Sequence, residues 1–281
     1  MAKHYEALQR AEAERRRKVA GSPLPAAPTE WDTTPSTARS PRSSLAKRLF
    51  ASMRRNRGKV DTSNEINKRR ISILQPESFA AEQFRTLRGR IDSLATQQPI
   101  KSVALVSANA DEGKSMAAIN LAVVTSMSVG RKVLLVDCDL RRPKIHRSLG
   151  VEPRVGLGEV LSGDAQLEDA IVQVDAVNMD VLPVRTRPGN PSELLASVAM
   201  KQLLEKTSEL YDQVILDTPA CLGLPDAKTV SELCDGVVLV VRADSTPRQD
   251  VEAVLEVLDQ RQVLGLVLNG ADLGPSPSGY Y

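Results

Sequence analysis

Residues 103–115 read VALVSANADEGKS. A short apolar run ends in small and turn-forming residues, and Gly113, Lys114 and Ser115 then open a segment patterned as a helix. The reading is strand, phosphate loop, helix. Backbone N–H groups at a helix N-terminus face an anionic phosphate, a Lys ammonium reaches the terminal phosphates, and a Ser hydroxyl ligates a divalent cation. The usual G-x-x-x-x-G-K-[ST] pattern is met except at its first position, where Ala108 stands.

The surrounding chain alternates in the way such a loop requires. Apolar runs of strand length occupy Ser102 to Val106, Val133 to Val136, Met179 to Val184, Val214 to Leu216, Gly236 to Val241 and Leu264 to Leu268. Helix-length stretches lie between most of them, at Lys114 to Val129, Ser192 to Leu210, Asp226 to Leu233 and Arg248 to Arg261. Continuous Val and Leu runs imply strands covered on both faces. The expected fold is therefore α/β, a doubly wound and mainly parallel sheet of the P-loop NTPase kind. Ligands of such sheets bind beyond the carboxyl ends of the strands.

Acids stand at those ends. The second run closes as VDCDLR, with Asp137 and Asp139 two residues apart, which on an extended chain points both carboxylates to one side, toward the phosphate loop. A later run closes as VILDTPA at Asp217. A Ser hydroxyl with a few carboxylate oxygens is what a nucleotide-bound Mg²⁺ takes, leaving room for phosphate and water.

Charge divides the chain unevenly. Residues 1–70 hold 17 basic and 7 acidic side chains, and the remainder holds 20 and 28. A basic head on an acidic body points to an appendage that meets an acidic surface. Residues 3–18 contain helix formers only, whereas residues 21–44 crowd together Pro, Ser, Thr and Ala and read as a disordered linker. From Leu45 to Lys59, Leu45, Leu49, Phe50 and Met53 lie among six basic residues at a spacing compatible with one apolar helical stripe. That stretch suits either an anionic membrane surface or a solvated basic linker. No run has the length of a membrane span, and the polar N-terminus has no signal-peptide core. Nucleic acid is not an expected partner, because the head lacks interleaved aromatics. Three cysteines without metal spacing, Cys138, Cys221 and Cys234, fit small buried residues in a reducing cytoplasm.

Folding is expected to begin near Ile71, giving an extension over 1–70, a domain over 71–273 and a tail over 274–281. Pro76, Glu77 and Ser78 start a helix carrying Phe79, Phe84, Leu87, Ile91 and Leu94 near a 3.6 period. The same helix sets Glu82, Arg85 and Arg88 in one slanting row, able to meet a complementary row on a neighbour or to pair along the helix. At the other end, two of the four tyrosines, Tyr280 and Tyr281, follow a Gly, Pro and Ser segment.

Together SANADEGKS, LLVDCDLRRP and VILDTPA resemble the three Walker-type motifs of bacterial tyrosine autokinases, P-loop kinases that control export of capsular and exopolysaccharides. The E-x-x-R-x-x-R row is similar to the pattern by which such kinases associate into rings. VGLGEVLSGDAQLEDAI and the stretch from Pro191 to Pro219 also resemble the family, particularly its exosortase-associated branch.

The resemblance implies ATP and Mg²⁺ as cofactors and a nucleotide cradle of Ala110, Asp111, Glu112, Gly113, Lys114, Ser115 and Met116. Lys114 would hold the β and γ phosphates, and Ser115, Asp139 and Asp217 would organise the metal. Asp137 would accept the proton of a tyrosine hydroxyl, Tyr280 and Tyr281 would receive phosphate, and Glu82, Arg85 and Arg88 would make the ring. It further implies a membrane adaptor of the chain-length-determinant type and a place at the inner face of the cell membrane. Rival readings are a non-catalytic subunit of the polysaccharide machinery and a partitioning ATPase; against the latter, Asn109 stands where those ATPases carry a second lysine. The loop departs from the family at Ala110 and Asp111, where Pro-Gly is usual, and Ala220 replaces a proline. A carboxylate at 111 should repel phosphate unless it meets a cation.

Overall fold

Ser102–Ser107, the strand that feeds the phosphate loop, lies inside a sheet with neighbours on both sides. The computed structural model describes residues 57–58, 76–174 and 177–271. All of them belong to one structural unit, 42–281. Among the described residues eight strands run in the order β1-β4-β5-β3-β6-β2-β7-β8. They are β1 (Arg57–Gly58), β2 (Ser102–Ser107), β3 (Val133–Asp137), β4 (Val172–Val174), β5 (Met179–Leu182), β6 (Gln213–Asp217), β7 (Gly236–Arg242) and β8 (Val263–Asn269). Every pairing is parallel except β4 with β5.

Helices cover both faces. In the central strands alternate residues enter opposite cores, so Ala104, Leu134, Val136, Leu216 and Leu239 join one cluster while Val103, Leu105, Leu135, Ile215 and Val238 join the other. This is why those runs are continuous Val and Leu: both sides of the pleat are dry. Each such side chain contributes about 1.5–3 kcal/mol when fully buried. The run at Leu264 to Leu268 differs from the expectation, because edge strand β8 leaves Leu266 and Leu268 about half exposed.

On the second face lie α1 (Phe79–Ala95) and α2 (Lys114–Ser126). Helix α2 is buried almost all round, and α1 packs over it. Ser78 caps α1 as read from sequence, its Oγ accepting from the Ala81 N–H at 3.2 Å. The first face carries α7 (Val198–Leu210), α8 (Asp226–Glu232) and α9 (Arg248–Val257).

Three features differ from the sequence reading. The expected helix over Ser192 to Leu210 is two helices, α6 (Pro191–Leu195) and α7, because Ser197 turns out of the first and caps the second, accepting from the Met200 N–H at 3.2 Å. The region between β3 and β5 holds three short helices, α3 (Ile145–Leu149), α4 (Leu157–Leu161) and α5 (Leu167–Ala170), together with antiparallel β4. Arg57–Gly58, at the end of the stretch read as a helix over 45–59, pairs as a strand with β4. The rest of that stretch, the linker over 21–44 and the tail over 274–281 lie outside the described residues. Among the described residues no helix is long and apolar enough to cross a membrane.

Candidate nucleotide site

Between β2 and α2 the chain turns through two residues with positive φ, Asp111 at 63° and Gly113 at 92°. Gly113 has a second reason to be glycine. A Cβ there would stand 1.9 Å from Nδ2 of Asn269, which donates to the Glu112 carbonyl at 2.9 Å. The Glu112 side chain is buried and ties the loop to itself and to its surroundings. Its Oε2 accepts from the Asn109 N–H at 3.0 Å, and its Oε1 accepts from Thr246 Oγ1 at 2.6 Å. Arg242 at the end of β7 donates from Nη1 to the Asp111 carbonyl at 3.0 Å. The ends of β7 and β8 thus fix the loop from one side.

The loop opens on a cavity of about 800 Å³, room enough for a nucleotide. Of the seven residues named for the cradle, Ala110, Asp111, Gly113, Lys114, Ser115 and Met116 line it, whereas Glu112 is buried behind the loop. The first-turn N–H groups of α2 have no acceptor within a helix, so this wall presents donors and the positive end of a helix dipole.

Opposite lie the acids, and they divide by burial. Parallel pairing sets Asp137 directly beside Asp217 at the ends of β3 and β6. Both are fully buried. Lys114 donates from Nζ to Asp217 Oδ1 at 2.5 Å, leaving Asp217 Oδ2 buried with no hydrogen-bond partner. Asp137 accepts from the Ile145 N–H at 3.1 Å, at the start of α3, and from the Asp139 N–H at 3.2 Å. Burial, and next the charge of Asp217, push the Asp137 carboxyl well above the ordinary value.

Asp139 is not its twin. Strand β3 ends at Asp137, so the two-residue alternation that would align the two acids stops before Asp139. Asp139 instead lines the cavity, accepting from the Arg142 N–H at 2.9 Å, and burial raises its carboxyl as well.

Arg141 leaves the same turn and reaches across it. Its Nε donates to Asp226 Oδ2 at 2.7 Å and its Nη2 to Ser192 Oγ at 2.8 Å, while Ser192 Oγ donates to Asp226 Oδ1 at 2.6 Å. These bonds join the turn after β3 to α6 and α8.

Asp111 meets a cation. Lys144 donates from Nζ to its Oδ1 at 2.6 Å, and this bond, with the nearby positive charge, holds the Asp111 carboxyl below its usual value. The repulsion expected from sequence is thereby offset.

Among the described residues no three His, Cys, Asp or Glu side chains gather to hold a metal by themselves. The donors present suit Mg²⁺, which keeps water and phosphate ligands and needs only one or two protein oxygens. The unpartnered Asp217 Oδ2 is such an oxygen, and Ser115 and Asp139 line the cavity.

The row on α1 is occupied within the chain. Arg85 pairs with Glu82 and donates to the Pro76 carbonyl, and Arg88 donates from Nη1 to the Val124 carbonyl at 2.7 Å, at the C-terminal end of α2. Tyr280 and Tyr281 lie outside the described residues. Sequence reasoning did not single out the Glu112 side chain, Lys144, Arg242, Asn269 or Asp226. Only the spacing N-x-x-E over Asn109 to Glu112 hinted at one of them, the capping-box relation in which a Glu side chain reaches back three residues.

A parallel sheet with strand, phosphate loop and buried helix, and with acids at neighbouring strand ends, defines a P-loop nucleotide-binding domain. The AAA domain family matches residues 100–264. The tyrosine-protein kinase YwqD of Bacillus subtilis is 38% identical over 232 residues, 82% of this chain and 95% of the relative. The kinase domain of the Escherichia coli tyrosine kinase ETK superposes with a TM-score of 0.69 at 32% identity, over 75% of this chain and 83% of that structure. The succinoglycan biosynthesis transport protein ExoP of Rhizobium meliloti is 34% identical over 80% of this chain, which spans only 29% of ExoP. The chain belongs to the bacterial tyrosine-protein kinase family.

Proposed function

We propose that this chain is an ATP-dependent protein-tyrosine kinase that phosphorylates Tyr280 and Tyr281 at its own C-terminal end and thereby regulates exopolysaccharide polymerisation and export. The observation that carries the nucleotide part is the Lys114–Asp217 pair beside an unpartnered carboxylate oxygen, set at the mouth of a helix N-terminus.

Lys114 gives up Asp217 for the β and γ phosphates when ATP enters, and the N–H groups of Gly113, Lys114 and Ser115 cradle them. Mg²⁺ held by Ser115, Asp139 and Asp217 would neutralise phosphate charge. A tyrosine oxygen attacks the γ-phosphorus, the bond to the ADP oxygen breaks, and the hydroxyl proton passes to a carboxylate. Both carboxyls are raised, so either Asp137 or Asp139 would hold that proton, but of the two Asp139 lines the cavity and Asp137 is fully buried behind it. Positioning and charge neutralisation supply most of the rate in such transfers.

Glu82, Arg85 and Arg88 would exchange their intrachain partners for those of a neighbour in a ring-like homo-oligomer. A membrane adaptor of the chain-length-determinant type, and the basic stretch over 45–59 on an anionic surface, would hold the kinase at the inner face of the membrane. The name of ExoP supports the link to polysaccharide transport.

The decisive experiment incubates the purified chain with ATP and Mg²⁺, with and without a membrane activator, and maps the C-terminal peptide by mass spectrometry. Phosphate on Tyr280 or Tyr281 is the expected result. An unmodified tail in both arms overturns the kinase reading and leaves a regulatory subunit.

A further inference from the structure

Three lysine and arginine side chains that line the nucleotide cavity are each neutralised by an aspartate. Lys114 is held by Asp217, Arg141 by Asp226 and Lys144 by Asp111. The first two acids are buried, with side chains 0% and 1% exposed, whereas Asp111 is 74% exposed and Lys144 50%. An exposed pair of this kind is worth about 0–1 kcal/mol, so it separates readily when a stronger anion arrives.

Nor does the loop depend on that pair for its shape. The Asp111 carbonyl is already held by Arg242, and Glu112 and Gly113 are fixed by Asn109, Thr246 and Asn269. Yet Asp111 occupies a left-handed backbone, φ 63°, that glycine adopts without cost. A carboxylate that strains its own backbone and braces nothing else has one visible partner, the Lys144 ammonium.

We infer that Lys144 is a second phosphate-binding residue of this cavity, and that Asp111 occupies its ammonium until a nucleotide phosphate displaces it. The inference rests on the nucleotide-binding reading above and specifies which side chains the phosphates meet. The ligand is a nucleoside di- or triphosphate, whose dense negative charge outcompetes a single exposed carboxylate through charge-assisted hydrogen bonds. On exchange Asp111 turns to solvent, and the loop keeps its shape. Asp111 therefore sets a threshold: ligands poor in phosphate charge leave the pair closed.

Calorimetric titration of the full chain with ADP and Mg²⁺, and separately with AMP, tests this. Lys144→Ala should weaken ADP binding by about five- to tenfold and change AMP binding less, and Lys144→Arg should restore most of the loss. Asp111→Asn should tighten ADP binding by about threefold or more, a gain absent when Lys144 is also Ala. Unchanged ADP affinity in Lys144→Ala, equal losses for ADP and AMP, or weaker ADP binding in Asp111→Asn would each overturn the inference and leave the pair as a loop brace. A wild-type chain that binds no ADP would overturn the nucleotide reading itself, so the two failures are distinct.

Discussion

Lys114–Asp217 and Lys144–Asp111 are the same chemistry in opposite surroundings. The first pair is sealed beneath the phosphate loop, with Asp137 alongside and one Asp217 oxygen unpartnered. The second lies across the rim in water. Burial makes the first pair costly to disturb, because removing one partner strands a charge in a low-dielectric interior. Exposure makes the second nearly free to open. The cavity thus has a buried floor pair that costs much to separate and an exposed rim pair that costs little, and the position of each acid in the fold decides which it is.

The largest test removes the floor's cation. Lys114→Met should abolish tail phosphorylation, a loss of at least about 100-fold, and lower stability by about 3 kcal/mol in urea denaturation at neutral pH. A variant that keeps its phosphorylation rate would break the comparison at once.

Gly113 joins floor to rim, between Asp111 and Lys114. Gly113→Ala forces a side chain into φ 92° and against Asn269, at an expected cost of about 2 kcal/mol by the same measurement.

The buried acids can be read by pH. Asp137 is raised in the folded protein, so its contribution is complete below the unfolded value of 3.8 and is lost as pH rises toward the folded value. Relative to Asp137→Asn, the wild type should therefore lose stability at up to about 1.4 kcal/mol per pH unit above 3.8. Urea midpoints for both proteins between pH 4 and about 7 check the sign; parallel curves would contradict it. The smallest effect belongs to the rim, where Lys144→Ala should change stability by less than about 0.5 kcal/mol even as nucleotide affinity falls.

What the sequence revealed was local. GKS before an apolar helix, the Val and Leu runs, and Asp137 and Asp217 at strand ends were legible because spacing along the chain determines them. Asp139 reaches the cavity as expected, but not by strand alternation, since nothing in VDCDLR announces that β3 stops at its first aspartate and leaves Asp137 buried. Lys144, Arg242 and Asn269 were silent for another reason. They come to the loop from the ends of three different elements, and only the strand order β2-β7-β8 and the turn after β3 bring them there. Glu112 was read only as one residue of the phosphate cradle, although its buried carboxylate is what the loop closes around.

Asn269 is both the last residue of β8 and a contact of the phosphate loop. Tyr280 follows eleven residues later in the chain. Eleven residues extend at most about 40 Å. If the proposed acceptor reaches the phosphate loop of its own chain, a tether of that length would set its local concentration on the order of millimolar whatever the protein's dilution. Phosphorylation of the tail would then need no recognition sequence around the tyrosine, in keeping with the small and uncharged residues of GPSPSGYY.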